Sequence, residues 1–253
     1  MSTIHPHLTI DGPIARIVLD RPDRHNALEL ADLQRFRAHL AEVDKNDRIR
    51  VLVVTGSGEA TFCAGASLDQ LESGEISGRI FETLTTDLAS SRVPTICALN
   101  GSAYGGGAEI ALCCDFRIGV VGSRISVPAA RLGVCYPVTG LRRYLASLGP
   151  GVARRIMLAA EELDADEMLR SGFLDRLVRP EELSTVAAAL ADHMAGLAPL
   201  AVQAMKRILR GLALGTLDDD DAQELVSLCE GSEDLKEGLR ARRERRPAEF
   251  RGR

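Results

Sequence analysis

The chain has 253 residues, of which 45% are hydrophobic and 26% charged, with a net charge of −5. That balance fits a globular protein long enough for one large domain or two small ones. The acidic total and 4% aromatic content argue against a nucleic-acid-binding surface, and no apolar run reaches membrane-spanning length. The start, "MSTIHPHLTIDGPIARIVLD", lacks the basic-then-apolar order of a secretion signal, so the expected location is the cytoplasm.

"IARIVLD" (14–20) predicts a strand ending at the turn "RPDRHN". Leu28, Leu33, Phe36, Leu40 and Val43 then recur at helical spacing. "RIRVLVVTGSG" is a continuous apolar strand closed by glycines, the pattern of a sheet covered on both faces. "TFCAGASLDQL" reads as a short strand, a turn and a helix start, and a helix over roughly 76–91 is stopped by Pro94. "TICALNGSA" predicts a strand, "GGAEIALCCDF" a helix, and "RIGVVGSRISVP" two short strands. Residues 151–171 read as two helices, the second capped by Asp164 with Glu167 three residues on and closed by Gly172. "FLDRLVRP" follows as a strand, and the pattern from about 181 onward is helical. Asp218 to Asp221 stand where acids favour the positive end of the last predicted helix. Alternating strands and helices followed by helices alone predict an α/β core, 1–195, with a helical region, 196–253, that packs on the core or on another subunit.

Cys63, Cys97, Cys113, Cys114, Cys135 and Cys229 form no C-x-x-C pair, and the histidines have no metal spacing. They read as small buried hydrophobes in a reducing compartment. Two stretches share a different design: "FCAGAS" (62–67) and "YGGGAE" (104–109) each run from a strand end through glycine into the first turn of a helix. Such a turn offers backbone N–H groups without intrahelical acceptors, at the positive end of the macrodipole. Glycine lets a ligand approach them closely. Two of these N–H groups would hold an oxygen that becomes negative in a transition state, although close packing alone also explains "GGG" before a helix. "GSG" at 56–58 is a turn, and "GSAYGGGAE" does not fit the dinucleotide pattern G-x-G-x-x-G. Glu109, the single acid in "LNGSAYGGGAEIALCCD", has no structural partner evident in the sequence.

The pairing of "FCAGASLDQL" with "ALNGSAYGGGAEIALCCDFRIG" resembles the enoyl-CoA hydratase/isomerase (crotonase) family. The likeness runs from "IARIVLDRPDRHNAL" through "ARLGVCYPVTGLRRYLASLG" and "LDADEMLRSGFLDRLV" to "SEDLKEGLRARRERRPAEF", essentially the whole chain. It implies an α/β crotonase-like spiral of ββα units with a C-terminal helical region that builds a homotrimer, often paired into a hexamer. It implies an acyl-CoA thioester substrate, with coenzyme A part of that substrate and no separate cofactor or metal. The backbone N–H groups of Ala66 and Gly106 take the oxyanion positions, and Glu109 takes the general acid/base position. Arg24, Ala27, Ala64, Ser67 and Leu68 fall in segments that wrap CoA. Arg245 matches a basic position that often meets the CoA phosphates of a neighbouring subunit, although a solvated basic tail is the plainer reading.

The departures are as informative. Family hydratases carry a second glutamate in the segment that reads "SVPAARLG" here, where Pro128 is followed by Ala129. A methyl group exchanges no protons, so two-glutamate hydration gives way to single-acid chemistry: decarboxylation of a malonyl-type ester or double-bond isomerisation. "LGVCYP" resembles the methylmalonyl-CoA decarboxylase branch, in which Tyr136 would donate to a substrate carboxylate. That branch has histidine at the position of Ala66 and aspartate at Ser67, and isomerases of the family commonly keep an acid at the position of Ala129. Conventional or weak enoyl-CoA hydration, and non-catalytic acyl-CoA binding, are the alternatives.

Overall fold

The computed structural model describes residues 6–253; the first residues of the N-terminal segment read above, 1–5, lie outside them. Strand β1 (His7–Asp11) turns at Gly12 into an antiparallel partner, β2 (Ile14–Leu19). Helix α1 (Leu30–Lys45) buries Leu33, Phe36, Leu40 and Val43 of the helically spaced residues, whereas Leu28 lies before the helix in an extended bridge with Ala66. Three turns of a spiral follow. The first comprises β3 (Val51–Gly56), β4 (Thr61–Cys63), α2 (Leu68–Glu72) and α3 (Gly78–Ala89). The second comprises β5 (Thr95–Leu99), β6 (Ser102–Tyr104) and α4 (Gly106–Cys113). The third comprises β7 (Phe116–Val120), β8 (Arg124–Ser126) and α5 (Val138–Met157). Strand β9 (Leu163–Asp164), α6 (Ala165–Arg170) and β10 (Arg176–Val178) complete the sheets.

Each turn places one strand in each of two sheets, ordered β1-β2-β3-β5-β7-β10 and β4-β6-β8-β9. All pairings are parallel except β1 with β2 and β8 with β9. This is the crotonase-like α/β spiral expected. "TICALNGSA" supplies two strands, because the chain changes sheets at Asn100–Gly101 between β5 and β6.

The large sheet is covered on both faces, as the run "VLVV" requires. One face of β3 and β5 joins the main core with Leu52, Val54, Cys97 and Leu99. The opposite face of the sheet presents Val51, Val53, Ile96, Ala98 and Ile118 to Leu183, Ala187, Ala191 and Met194 of α7 (Leu183–Ala195). Fully burying such a side chain stabilises by roughly 1.5–3 kcal/mol, so α7 is held to the sheet by several such increments. Helices α8 (Pro199–Leu214), α9 (Asp219–Glu230) and α10 (Glu233–Glu244) follow. They leave Met205, Leu209, Leu212, Leu228 and Leu239 exposed. Asp218 caps α9, accepting from the N–H groups of Asp220 and Asp221 at 3.0 and 3.1 Å.

One helix differs from the sequence reading. The first helix expected over 151–171 begins at Val138, well upstream, and is interrupted at Gly149 (φ 71°, ψ 170°) before Pro150. Gly-Pro resembles a helix boundary locally, yet Tyr144, Leu148 and Ile156 bury on both sides of the break. The second helix is as expected: the Asp164 carboxylate accepts the Glu167 N–H at 2.8 Å, and Gly172 (φ 77°) ends it. Among the described residues no single helix is long and apolar enough to cross a membrane, and no cluster of potential metal ligands occurs.

Candidate active site

The two glycine turns are pressed together. A Cβ on Gly107 would sit 2.1 Å from the Cys63 carbonyl oxygen, and one on Gly65 would sit 2.8 Å from the Gly106 nitrogen. Gly65 also has φ 87°, which a side chain would strain. Beside it, Leu28 pairs with Ala66: the Leu28 N–H donates to the Gly65 carbonyl and the Ser67 N–H to the Leu28 carbonyl, both at 2.8 Å. Extended backbone groups alternate sides, so the Ala66 N–H faces away from Leu28. Gly106 is the first residue of α4, where N–H groups have no intrahelical acceptor. Ala66 and Gly106 both line one cleft of about 620 Å³. Two such N–H groups beside one another suit a developing oxyanion.

The same cleft is lined by Arg24, Ala27, Ala64, Ser67, Leu68, Glu109, Ala129 and Tyr136. Every site residue expected from the sequence is therefore brought together except Arg245. That arginine caps the C-terminal end of α10 in a left-handed conformation, exposed and outside this cleft. The turn "RHNAL" is held by Asn26, which the sequence reading did not single out. Its side chain accepts from the Arg21 N–H at 2.8 Å and donates to the carbonyls of Ser57 and Thr61 at 2.9 and 2.8 Å.

Glu109, 3% exposed, has partners that the sequence did not reveal. The Arg143 guanidinium donates to Oε1 at 2.6 Å and the Tyr136 phenol donates to Oε2 at 2.7 Å. Arg143 is itself largely buried and also donates to the hydroxyls of Thr85 and Thr86. The expectation of a Glu109 without a structural partner is thus corrected. Tyr136, expected to face a substrate carboxylate, spends its hydroxyl on Glu109. Burial, then Tyr144 and Glu109 nearby, pushes the Tyr136 phenol well above its usual range, so it remains a proton donor. Arg143 escaped notice because its segment was not recognised as helix; folding brings it to a residue 34 positions earlier.

Four cysteines are buried as expected, Cys135 is exposed and Cys229 half-buried. Burial pushes the Cys63 thiol up to about 12 and the Cys97 and Cys113 thiols well above their ordinary value, which leaves them inert.

The chain belongs to the enoyl-CoA hydratase/isomerase family, whose profile matches residues 9–253. It is 33% identical over 249 residues to a short-chain-enoyl-CoA hydratase of Clostridium acetobutylicum, covering 94% of each chain. It is likewise 33% identical over 259 residues to a carnitinyl-CoA dehydratase of Proteus mirabilis, covering 98% of each. Among solved structures, an enoyl-CoA hydratase/isomerase family protein from Hyphomonas neptunium superposes with a TM-score of 0.93 at 32% identity, covering 99% of both chains. An enoyl-CoA hydratase from Bacillus anthracis superposes with a TM-score of 0.90 at 26% identity, over 98% of this chain and 100% of that one. The family acts on acyl-CoA thioesters.

Proposed function

We propose that this protein works through a thioester enolate, its oxyanion held by the Ala66 and Gly106 N–H groups, with Glu109 as the sole general acid/base. The observation that carries this reading is Glu109 lining one cleft with Ala129, a methyl group where family hydratases place a second glutamate. Losing one oxyanion donor typically costs about 10²–10³ in rate, so the paired turns account for much of the catalysis.

Of the single-acid reactions, double-bond isomerisation asks least of the cleft, since it needs only Glu109 and the oxyanion pair, even though family isomerases commonly keep their acid at the position of Ala129. Glu109 takes a proton from the carbon next to the thioester of a 3-enoyl chain, and the electron pair moves into the enolate. The same carboxyl returns the proton two carbons further on, leaving the 2-enoyl ester and a restored carboxylate. Decarboxylation of a malonyl-type ester is less well supported. Tyr136 and Arg143 already bond to Glu109, and a substrate carboxylate would enter a cleft also lined by Glu82 and Glu109. Hydration is the second reading, favoured by the names of the two relatives. No cofactor is needed, because CoA is part of the substrate.

The exposed apolar side chains of α8 to α10 fit contact between subunits in a homotrimer or a dimer of trimers, with 196–253 as the assembling region and Arg245 meeting CoA phosphates across the interface. Arg245→Ala is expected to weaken CoA-ester affinity and flatten its salt dependence. The deciding experiment incubates the protein with 3-enoyl-, crotonyl- and methylmalonyl-CoA and follows the products by chromatography and mass. Conversion of the 3-enoyl ester to a chromatographically distinct, conjugated 2-enoyl ester of unchanged composition signals isomerisation, gain of water signals hydration, and loss of CO₂ signals decarboxylation. Glu109→Gln should abolish turnover while keeping affinity. Ester binding without turnover by the wild type would establish a binding protein instead.

A further inference from the structure

Glu82 has no role in the proton transfer above, yet it lines the same cleft. It lies on α3, one residue after Phe81, whose ring fills the space over Gly106. Two connections place it near the Glu109 end of the cleft. Its carboxylate accepts a hydrogen bond from Thr139, and the next residue, Gly140, lies so close that a Cβ there would sit 3.1 Å from Glu109 Oε1 and 2.6 Å from the Tyr136 ring. Its backbone carbonyl accepts from Thr85, whose hydroxyl receives Arg143, the partner of Glu109.

The surroundings make this carboxylate conspicuous. Val127, Ala129, Leu132 and Val134 also line the cleft, and among the described residues Glu82 makes no ion pair. A half-buried carboxylate that shares a cleft with these apolar side chains loses hydration when an alkyl chain covers it, and keeps only the Thr139 hydroxyl as a partner. A chain bearing a donor would restore the lost bond. The other cleft-lining acids differ: Glu29 pairs with Arg21 at 2.7 Å, and Asp69 lies on α2, next to Leu68 of the CoA-binding segment.

We propose that Glu82 sets acyl specificity, receiving an acyl chain that carries a hydrogen-bond donor (a hydroxyl or an ammonium group) and disfavouring plain alkyl chains. This rests on the acyl-CoA reading above and names the substrate class for that site. A site that hydrogen-bonds a substrate group rejects the analogue lacking it far more strongly than an apolar pocket discriminates by size.

The test compares plain alkyl, hydroxyl-bearing and ammonium-bearing acyl-CoA esters of matched length. Affinity is measured by calorimetry, and kcat/KM wherever turnover occurs, for the wild type, Glu82→Leu and the near-isosteric Glu82→Gln. Glu82→Leu should favour the alkyl ester over the donor-bearing esters by about tenfold or more relative to the wild type. Glu82→Gln, which keeps an acceptor without the charge, should retain hydroxyl preference and lose ammonium preference. Equal changes for all three esters in both variants would overturn the assignment while leaving the CoA reading intact. Absence of CoA-ester binding by the wild type would overturn both.

Discussion

Arg143→Met is the most informative perturbation, because it removes one member of a buried ion pair. The Glu109 and Arg143 side chains are 4% and 11% exposed, and their contact is 2.6 Å. Methionine approximates the length of the arginine stem, so the main loss is the charge and its donors to Glu109, Thr85 and Thr86. Breaking a buried pair at one end typically costs about 3–5 kcal/mol, because the remaining charge is left without compensation. In a chain of this length each kcal/mol lowers Tm by about 2–4 °C, so the expected drop is about 6–20 °C. Urea unfolding at fixed protein concentration should show the same loss as a shifted midpoint with unchanged slope. In a Glu109→Gln background no carboxylate remains to be orphaned. The cost of Arg143→Met should therefore shrink by at least about 1.5 kcal/mol, within the coupling range of contacting residues. A single-variant loss below about 1 kcal/mol, with coupling below about 0.5 kcal/mol, would refute the view that Arg143 holds Glu109.

Gly107→Ala should be worse than Gly106→Ala for folded yield and Tm, because its Cβ meets the Cys63 backbone at 2.1 Å whereas the other meets the tip of the Phe81 ring at 2.3 Å, a side chain that can shift about χ1 where a backbone carbonyl cannot. Equal effects would count against this ordering. Tyr144→Phe should leave Tm unchanged or raise it slightly: among the described residues its buried hydroxyl has no hydrogen-bond partner, and removing such a group is no loss. A drop of more than about 1 kcal/mol would reveal a hidden partner. Stability should hold to about pH 8 and then fall. Cys63, Cys97 and Cys113 have raised pKa values when folded, so above about pH 8.5 the unfolded chain releases protons that the native state keeps. Each would cost about 2 kcal/mol by pH 10. Tyr136 and Tyr144, also raised by burial, extend the fall above about pH 10. A flat urea midpoint from pH 8 to pH 10 would contradict this.

Local patterns in the sequence carried much of the architecture. The run "VLVV" announced a strand buried on both faces, because only a covered parallel sheet tolerates it. Asp164 and Gly172 announced the ends of a helix through short-range chemistry, and the structure places both in those roles. Two glycine turns in the same setting were enough to suggest an oxyanion site, since glycine before a first helical turn is a local feature. The interior of α5 was not legible: the Gly149–Pro150 break masks a helix whose two halves are held by burial rather than by local propensity.

The sequence by itself determined that Glu109 follows the glycine turn and that Pro128 is followed by alanine rather than an acid, because both are matters of residue identity. Only the tertiary structure decided what surrounds that glutamate. Arg143 and Tyr136 reach it from α5 and the loop before it, across separations of 34 and 27 residues, and Glu82 joins the same cleft from α3. Such pairings depend on how the helices cross over the second spiral turn, a geometry set by packing of the whole core and encoded in no single segment.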